Sequence, residues 1–470
     1  MAGLAVGGLG SGLDVTGMTQ QLVAAERMPK EQRIQSEMSK VEVSLSAYGQ
    51  VKASASAVHD LVEKYEKDEA FSSKEASSSD PGYVGVSVES HAQNGSYSVE
   101  VKRLAQSHKV ASADSFDADP DISLGSGNIV IGIGDDSFTL TVDPDKSSLK
   151  DVVEAINSST ENPGVTATII TDDDGAKIVF SSTKTGESHK INIDASAATG
   201  ELTKLSYDPD DPASTPDMLE MQEAQDAQII IDGFSTITSD TNKFEDAIDG
   251  VTFDVSKITG TLGTGDDTDE IDVKNVRIEI SNDTAKSKNA VSEFTDTYNE
   301  LVDLVTSQSK YDIETETAGP LVGDSLSRSL LSQLRNAMNE GVTVNGQEYF
   351  LSDFGVGMDR YGNLEVDSEV LDDMLDEDFQ AFAAFFNGDD DNGFLYKVDE
   401  LLEGFVGNDG SITSKEDSLK EQRTRLNDDL ATLDERMKAF EDRTYKQLTA
   451  MDSAIYKMTN ELNTMMSLLY

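Results

Sequence analysis

The apolar positions of this chain fall into three textures: helical spacing, then alternation, then helical spacing again. From Val15 to Tyr65 the steps are helical. Met18, Leu22 and Ala25 open the pattern. Ile34, Met38, Val41, Leu45 and Tyr48 follow, and after a slip of one residue come Val51, Ala55, Val58, Val62 and Tyr65. Steps of three and four keep one helix face apolar, so the stripe predicts a long heptad-like helix. Pro29 lacks an amide hydrogen and crowds the carbonyl four residues earlier, so a kink or break is expected there.

The middle changes period. Val84, Val86 and Val88 alternate, Asn94-Gly95 reads as a turn, and Tyr97, Val99 and Val101 alternate again, which predicts a hairpin. A second hairpin is expected from Ile129, Ile131 and Ile133, a Gly134-Asp135 turn, then Phe138, Leu140 and Val142. Leu149, Val152, Val153 and Ile156 predict a short amphipathic helix with Ser148 as its N-cap. Strands are expected at Val165–Ile169, Lys177–Phe180 and Lys190–Ile193. After a proline-rich linker at Asp208–Asp217, more are expected at Ala227–Ile231, Val251–Val255, Ile271–Val273 and Val276–Ile280.

From Ala290 the helical period returns. Val291, Phe294, Tyr298, Leu301 and Val305 form one stripe, Leu330, Leu334 and Met338 a second, and Phe379, Phe382 and Phe386 a third. Leu419, Leu426, Leu430, Leu433, Met437 and Phe440 then keep a three–four rhythm. Thr444 and Leu448 make a stutter, and Met451, Ile455, Met458, Leu462, Met465 and Leu469 resume it, as a coiled coil requires. The expected fold class is therefore α+β: long helical, coiled-coil termini that can pair, with a β-rich middle inserted between them.

Composition narrows the function. The formal net charge of −52 repels nucleic acid and anionic lipid heads, so no nucleic-acid partner is expected. It also favours solubility in salt. No apolar run approaches the roughly 20 residues that cross a bilayer, so no membrane insertion is expected. The first twelve residues lack the basic n-region of a Sec-type signal, which taken alone reads as cytoplasmic. With no cysteine, thiol catalysis, disulfides and cysteine zinc sites are excluded. His59, His91, His108 and His189 are scattered singly, and none makes a His-x-x-x-His pair.

Other candidate chemistry fails on spacing. In GGLGSGLDV, Gly7 to Val15, Leu13 stands where both nucleotide-loop templates need another residue. An EF-hand started at Asn387 would put Asn392 at its glycine position and Val398 at its glutamate position. The runs Asp172-Asp173-Asp174, Asp266-Asp267 and Asp389-Asp390-Asp391 read as solvated turns. No catalytic constellation, cofactor site or metal site is expected. The methionines of the tail are flexible and polarizable; they suit either a coiled-coil core or a surface that meets more than one partner.

Seven segments, in order, resemble one family. GLGSGLDVTGMTQQLVAAERMPK from Gly8 resembles the N-terminus of the flagellar filament cap family, hook-associated protein two (FliD). LGSGNIVIGIGDDSFTLTVD, with SLKDVVEAIN and GVTATII, resembles that family's head motif, shared with other axial flagellar proteins. DAQIIIDGFSTITSDTNKFEDAIDGVTFDV resembles its second head segment, and GPLVGDSLSRSLLSQL with LSDFGVGMDRYGNLEVD its helical leg. The acidity is a departure that bears on surface contacts.

The resemblance implies a non-enzymatic cap at the filament tip. It would be exported without a cleaved signal through the flagellum's own type III channel and needed for motility. Several copies, five in the best-known members and other numbers elsewhere, form a plate whose legs grip the filament while flagellin folds and inserts beneath. Implied partners are sister copies, flagellin, the hook–filament junction protein and a dedicated export chaperone. Mucin or glycan is an implied ligand of the head, since such heads are sometimes credited with cell adhesion. The alternatives are another axial component, such as flagellin or a junction protein, or a secreted β-rich adhesin.

The implied partition is 1–40 as flexible terminal region and part of the leg, 41–76 and 283–430 as helical leg domain, and 431–470 as coiled-coil leg. Residues 77–115 and 218–282 form one head subdomain, and 116–208 the other. The residues expected to meet filament or partner are Leu9, Leu13, Leu22, Met451, Ile455, Met458, Leu462, Met465, Met466 and Leu469.

Overall fold

In the computed structural model the described residues are 12–117, 122–173, 175–262, 270–271, 274–312, 316–388 and 392–469. The helices are α1 (Val15–Lys67), α2 (Leu149–Ser158), α3 (Thr284–Ser309), α4 (Ser325–Met338), α5 (Ser368–Glu377), α6 (Phe379–Asn387), α7 (Phe394–Val406) and α8 (Ser411–Leu469). The chain divides into two compact units, Met1–Ser72 with Thr284–Tyr470, and Ser73–Asp283. The expected α+β class, with long terminal helices around a β-rich middle, holds.

The first unit is built on α1, which packs against α3, α7 and α8. The predicted stripe is its buried face: Ile34, Val41, Tyr48, Val51, Ala55, Val58, Val62 and Tyr65 are all buried. The α3 stripe from Val291 to Val305 and the α4 stripe of Leu330, Leu334 and Met338 are buried in the same core. Its centre is aromatic. The Phe71 ring stacks on Phe386 at 4.2 Å and 7°, and Phe385 stacks on Phe394 at 5.5 Å and 16°. Such pairs contribute roughly 0.5–1.5 kcal/mol each beyond the area they bury.

α1 and α8 run antiparallel. Arg27 Nη2 lies 2.6 Å from Asp434 Oδ1, while Lys415 Nζ lies 6.0 Å from the Tyr48 ring centroid, so numbers rise on one helix as they fall on the other. The expected break at Pro29 does not occur, and α1 is one helix of 53 residues. The exposed ring removes a single backbone bond from a long ladder. Side-chain pairs bridge that turn: Arg27 Nε donates to Glu31 at 2.8 Å, and Lys30 donates to Glu26.

The second unit contains four sheets of three or more strands among the described residues. One has five strands in the order Lys74–Ser78, Val276–Asn282, Gly95–Arg103, Ala227–Ile231 and Ser235–Ser239, all antiparallel. Another has three, in the order Lys243–Ile248, Val251–Val255 and Val84–Val88. These two share an apolar core that includes Val84, Val99, Val101, Ile229, Phe253 and Ile278.

This corrects the first expected hairpin. Val84–Val88 and Gly95–Arg103 are strands, but they do not pair with each other. Val86 sits opposite Phe253, and Tyr97 opposite Ile278. Asn94 does not close a hairpin; its side-chain amide donates to Asn282 Oδ1 at 3.1 Å. Alternation fixes which face of a strand is apolar and leaves its neighbour to tertiary packing.

The second hairpin forms as expected. Gly127–Ile133 pairs with Asp136–Val142, and Ile133 faces Asp136 across Gly134-Asp135. Gly134 has φ +55°, and a Cβ there would sit 2.4 Å from the Ser188 carbonyl oxygen, so the turn requires glycine. Ile191–Asp194 completes that three-stranded sheet. The fourth sheet runs Met218–Gln222, Ser107–Ser112, Gly175–Thr185 and Val165–Asp172.

α2 packs on Val165–Asp172. Its predicted cap is present as a capping box, in which Asp151 N donates to Ser148 Oγ at 3.3 Å and Ser148 N to Asp151 Oδ2 at 3.2 Å. Within the expected linker, Pro212–Ser214 forms a 3-10 turn, and the strand Met218–Gln222 follows directly. Ile271 lies in a two-residue strand, Glu270–Ile271; positions 272 and 273 of the expected strand lie outside the described residues.

Candidate assembly surface

The stripe of α8 changes character along its length. Leu419, Leu426, Leu433 and Met437 are buried in the helical core, and Leu430 packs against it. Farther on, Thr444 and Asp452 are the last buried positions among the described residues of the helix. From Asp452 to Leu469 the helix continues for roughly 25 Å at 1.5 Å per residue. Along it the described apolar side chains up to Met466 face outward. Met458 is 70% exposed, Leu462 62% and Met465 64%; Met451 and Met466 are exposed and Ile455 is half-buried. Leu469 closes α8. An uncovered stripe that continues a buried one has the spacing to pack on a further helix.

α1 contributes at the same end of the pair. Asp14 caps it by accepting from Gly17 N at 2.8 Å, and Thr19 Oγ1 donates to the Val15 carbonyl at 2.7 Å. Val15 and Thr19 are buried, Leu13 is half-buried and Leu22 is exposed. The antiparallel pairing thus brings Leu13 toward the end of the bundle that carries Met451 to Met466, while Leu22, five residues before the Arg27–Asp434 pair, lies farther back. Leu9 lies outside the described residues, as does the side chain of Leu469. Met18 and Tyr456 are also exposed near this end and belong with the surface. Met18 was legible as part of the α1 stripe, whereas Tyr456 falls off the stripes.

Of the acidic runs, Asp172 and Asp173 sit at the tip between Val165–Asp172 and Gly175–Thr185, and Asp172 pairs with Lys177 Nζ at 3.4 Å. Asp174, Asp266-Asp267 and Asp389-Asp390-Asp391 lie outside the described residues.

One polar cluster was not legible. His59 of α1 meets α7, where its Nε2 lies 3.2 Å from Asp399 Oδ1 and 3.5 Å from Glu403 Oε2. Burial, with the like charges of Glu63 and Glu403, raises the Asp399 carboxyl above its usual range against the pull of His59. In sequence His59 stands alone, because its neighbours lie on a distant helix.

The comparisons agree with this architecture. The family described as flagellar hook-associated protein 2 C-terminus matches residues 224–460, and that described as flagellar hook-associated protein 2 N-terminus matches 11–108. The flagellin hook IN motif matches 128–184, the region of the second hairpin and α2. The A-type flagellar hook-associated protein 2 of Pseudomonas aeruginosa is 29% identical over 96% of this chain and 94% of its own. The flagellar hook-associated protein 2 of Vibrio cholerae is 24% identical over 98% and 99%. The crystal structure of the D1-D2-D3 domains of the flagellar cap protein FliD from Escherichia coli superposes with a TM-score of 0.69. It shares 25% identity and covers 80% of this chain and 99% of that one. The chain belongs to the flagellar hook-associated protein 2 family, that of the flagellar cap protein FliD.

Proposed function

We propose that several copies of this chain form a cap at the filament tip that promotes folding and insertion of exported flagellin, and so supports filament elongation and motility. The observation that carries this reading is the uncovered stripe of α8 from Met451 to Met466. Each such side chain, buried against a filament subunit, would contribute about 1.5–3 kcal/mol gross, less the entropy of ordering it. That balance suits a grip that releases and re-forms as subunits are added.

In this reading residues 1–40 and 431–470 supply the coiled-coil leg, 41–76 and 283–430 the helical leg domain, and 77–115, 116–208 and 218–282 the head. Leu9, Leu13, Leu22, Met451, Ile455, Met458, Leu462, Met465, Met466 and Leu469 meet the partner. The partners are sister copies, flagellin, the hook–filament junction protein and, before export through the type III channel, a dedicated chaperone.

Deleting Leu462–Tyr470 tests the role. Swimming is expected to stop while the β-rich unit keeps its circular dichroism and melting. Filaments of normal length in that strain would reject the reading.

A second reading, glycan or mucin binding by the head, is favoured by Phe234, which is 83% exposed between the strands Ala227–Ile231 and Ser235–Ser239. Glycan-array binding that is lost in Phe234→Ala would support it; an array with no binding would leave assembly alone.

A further inference from the structure

We propose that His59, Glu63 and Asp399, with Glu403 as a fourth donor, form a site for a divalent transition metal that clamps α1 to α7. His59 and Glu63 are four residues apart on α1, and Asp399 and Glu403 four apart on α7. That spacing places each pair on one helix face. Two facing helices that each offer such a pair make a familiar frame for a metal in a bundle.

The distances fit ligation. Nitrogen and oxygen ligands lie about 2.0–2.2 Å from tetrahedral zinc, so neighbouring ligands are roughly 3.3 Å apart. His59 Nε2 stands 3.2 Å from Asp399 Oδ1 and 3.5 Å from Glu403 Oε2. The donor atoms of His59, Glu63 and Asp399 all lie within 4.8 Å of one another. Yet Asp399 Oδ1, buried from solvent, has no hydrogen-bond donor among the described residues. An imidazole nitrogen 3.2 Å from a carboxylate oxygen and off the hydrogen-bond direction is the relation of two ligands that share an ion. Leaving that oxygen unsatisfied is unfavourable, and a cation between the two groups removes the penalty.

The surroundings agree. The His59 side chain is only 13% exposed, so the ring is held in place, while Glu403 is 61% exposed and leaves a path from solvent. Glu63 also meets Lys67 Nζ at 3.2 Å, so its carboxylate turns from a surface partner to the metal. Asp60 Oδ1 lies 3.9 Å from Nδ1, on the far side of the ring from the metal. An imidazole among carboxylates selects zinc, cobalt or nickel over calcium and magnesium, which take oxygen ligands.

The test uses the full chain after chelator treatment, titrated calorimetrically with zinc chloride and separately with calcium chloride. One zinc per chain is expected, with a rise in melting temperature and an affinity at least tenfold above that for calcium. Cobalt(II) should give the intense visible absorption of a tetrahedral site. His59→Ala should lower zinc affinity at least tenfold and abolish that absorption, with calcium binding unchanged. Should that variant not fold, Glu403→Gln, at a largely exposed side chain, carries the same comparison. Absence of stoichiometric zinc binding would overturn the proposal. So would zinc binding that is unchanged in these variants, since it would then be diffuse attraction to an acidic surface.

Discussion

The Arg27 guanidinium, two residues before Pro29, reaches across to Asp434 of α8 at 2.6 Å while its Nε donates to Glu31 on the next turn. Hydrogen bonding to Arg27 holds the Glu31 carboxyl below its usual range. Both ion pairs are solvent-exposed, where screening and side-chain entropy leave such contacts little net effect. They orient this turn more than they stabilise it.

Replacing Pro29 with alanine should therefore stabilise the helical unit. The alanine restores the missing amide donor and relieves the clash, worth up to about 3 kcal/mol in a helix interior. A urea titration followed by helical circular dichroism reads the change. A lower midpoint in P29A would mean that the proline serves the packing of α1 on α8.

Truncations along α8 should divide sharply. Leu426→Ala removes a buried side chain and should cost about 2–5 kcal/mol. Leu462→Ala touches an exposed one and should fall within about 0.5 kcal/mol of wild type. Swimming assays should reverse that order of severity, with L462A impaired despite an intact fold.

His108 makes the β-rich unit sensitive to acid. Its buried ring accepts the Ile191 amide at Nδ1, 2.8 Å away, so Nε2 carries the proton toward Glu220 Oε1 at 3.0 Å. Burial lowers its pKa, with Lys190 adding to the effect and Glu220 and Glu223 opposing it. Since the folded pKa lies below the unfolded value of 6.5, the unfolded chain binds the proton first. Stability is full above about pH 6.5 and declines as pH falls through that value toward the folded pKa. The urea midpoint should drop between pH 7.5 and 5.5, and by less in His108→Gln. A rise on acidification would show that the Glu220 contact outweighs burial.

Ser148→Ala should destabilise α2 by about 1 kcal/mol through loss of its capping box. Amide exchange at the first turn, Leu149 to Asp151, should accelerate. Unchanged exchange there would mean that packing on the strand Val165–Asp172 alone holds the helix start.

The helical unit was largely legible because its information is local. A three–four rhythm names a buried face wherever it occurs, and Tyr48, Val58, Phe294 and Leu334 all lie where it puts them. The Gly134 turn was legible for the same reason, since a two-residue connection sets Ile133 opposite Asp136. The Asn94-Gly95 hairpin misled because six residues between strands leave pairing open, and Val86 found Phe253 instead. Of the candidate surface, the α8 stripe was readable, but not where its burial stops. That point depends on how far α1 reaches along it. His59 was unreadable as a site, for Asp399 and Glu403 acquire meaning only once α7 is laid on α1.

The Ser73–Asp283 insert opens and closes on adjacent strands: Lys74 stands opposite Asn282, and Asp283 N donates to the Ser73 carbonyl at 2.9 Å. A segment whose two ends are already clasped together behaves as a cassette. Its interior can be lengthened, shortened or exchanged without moving the points where the host helices resume.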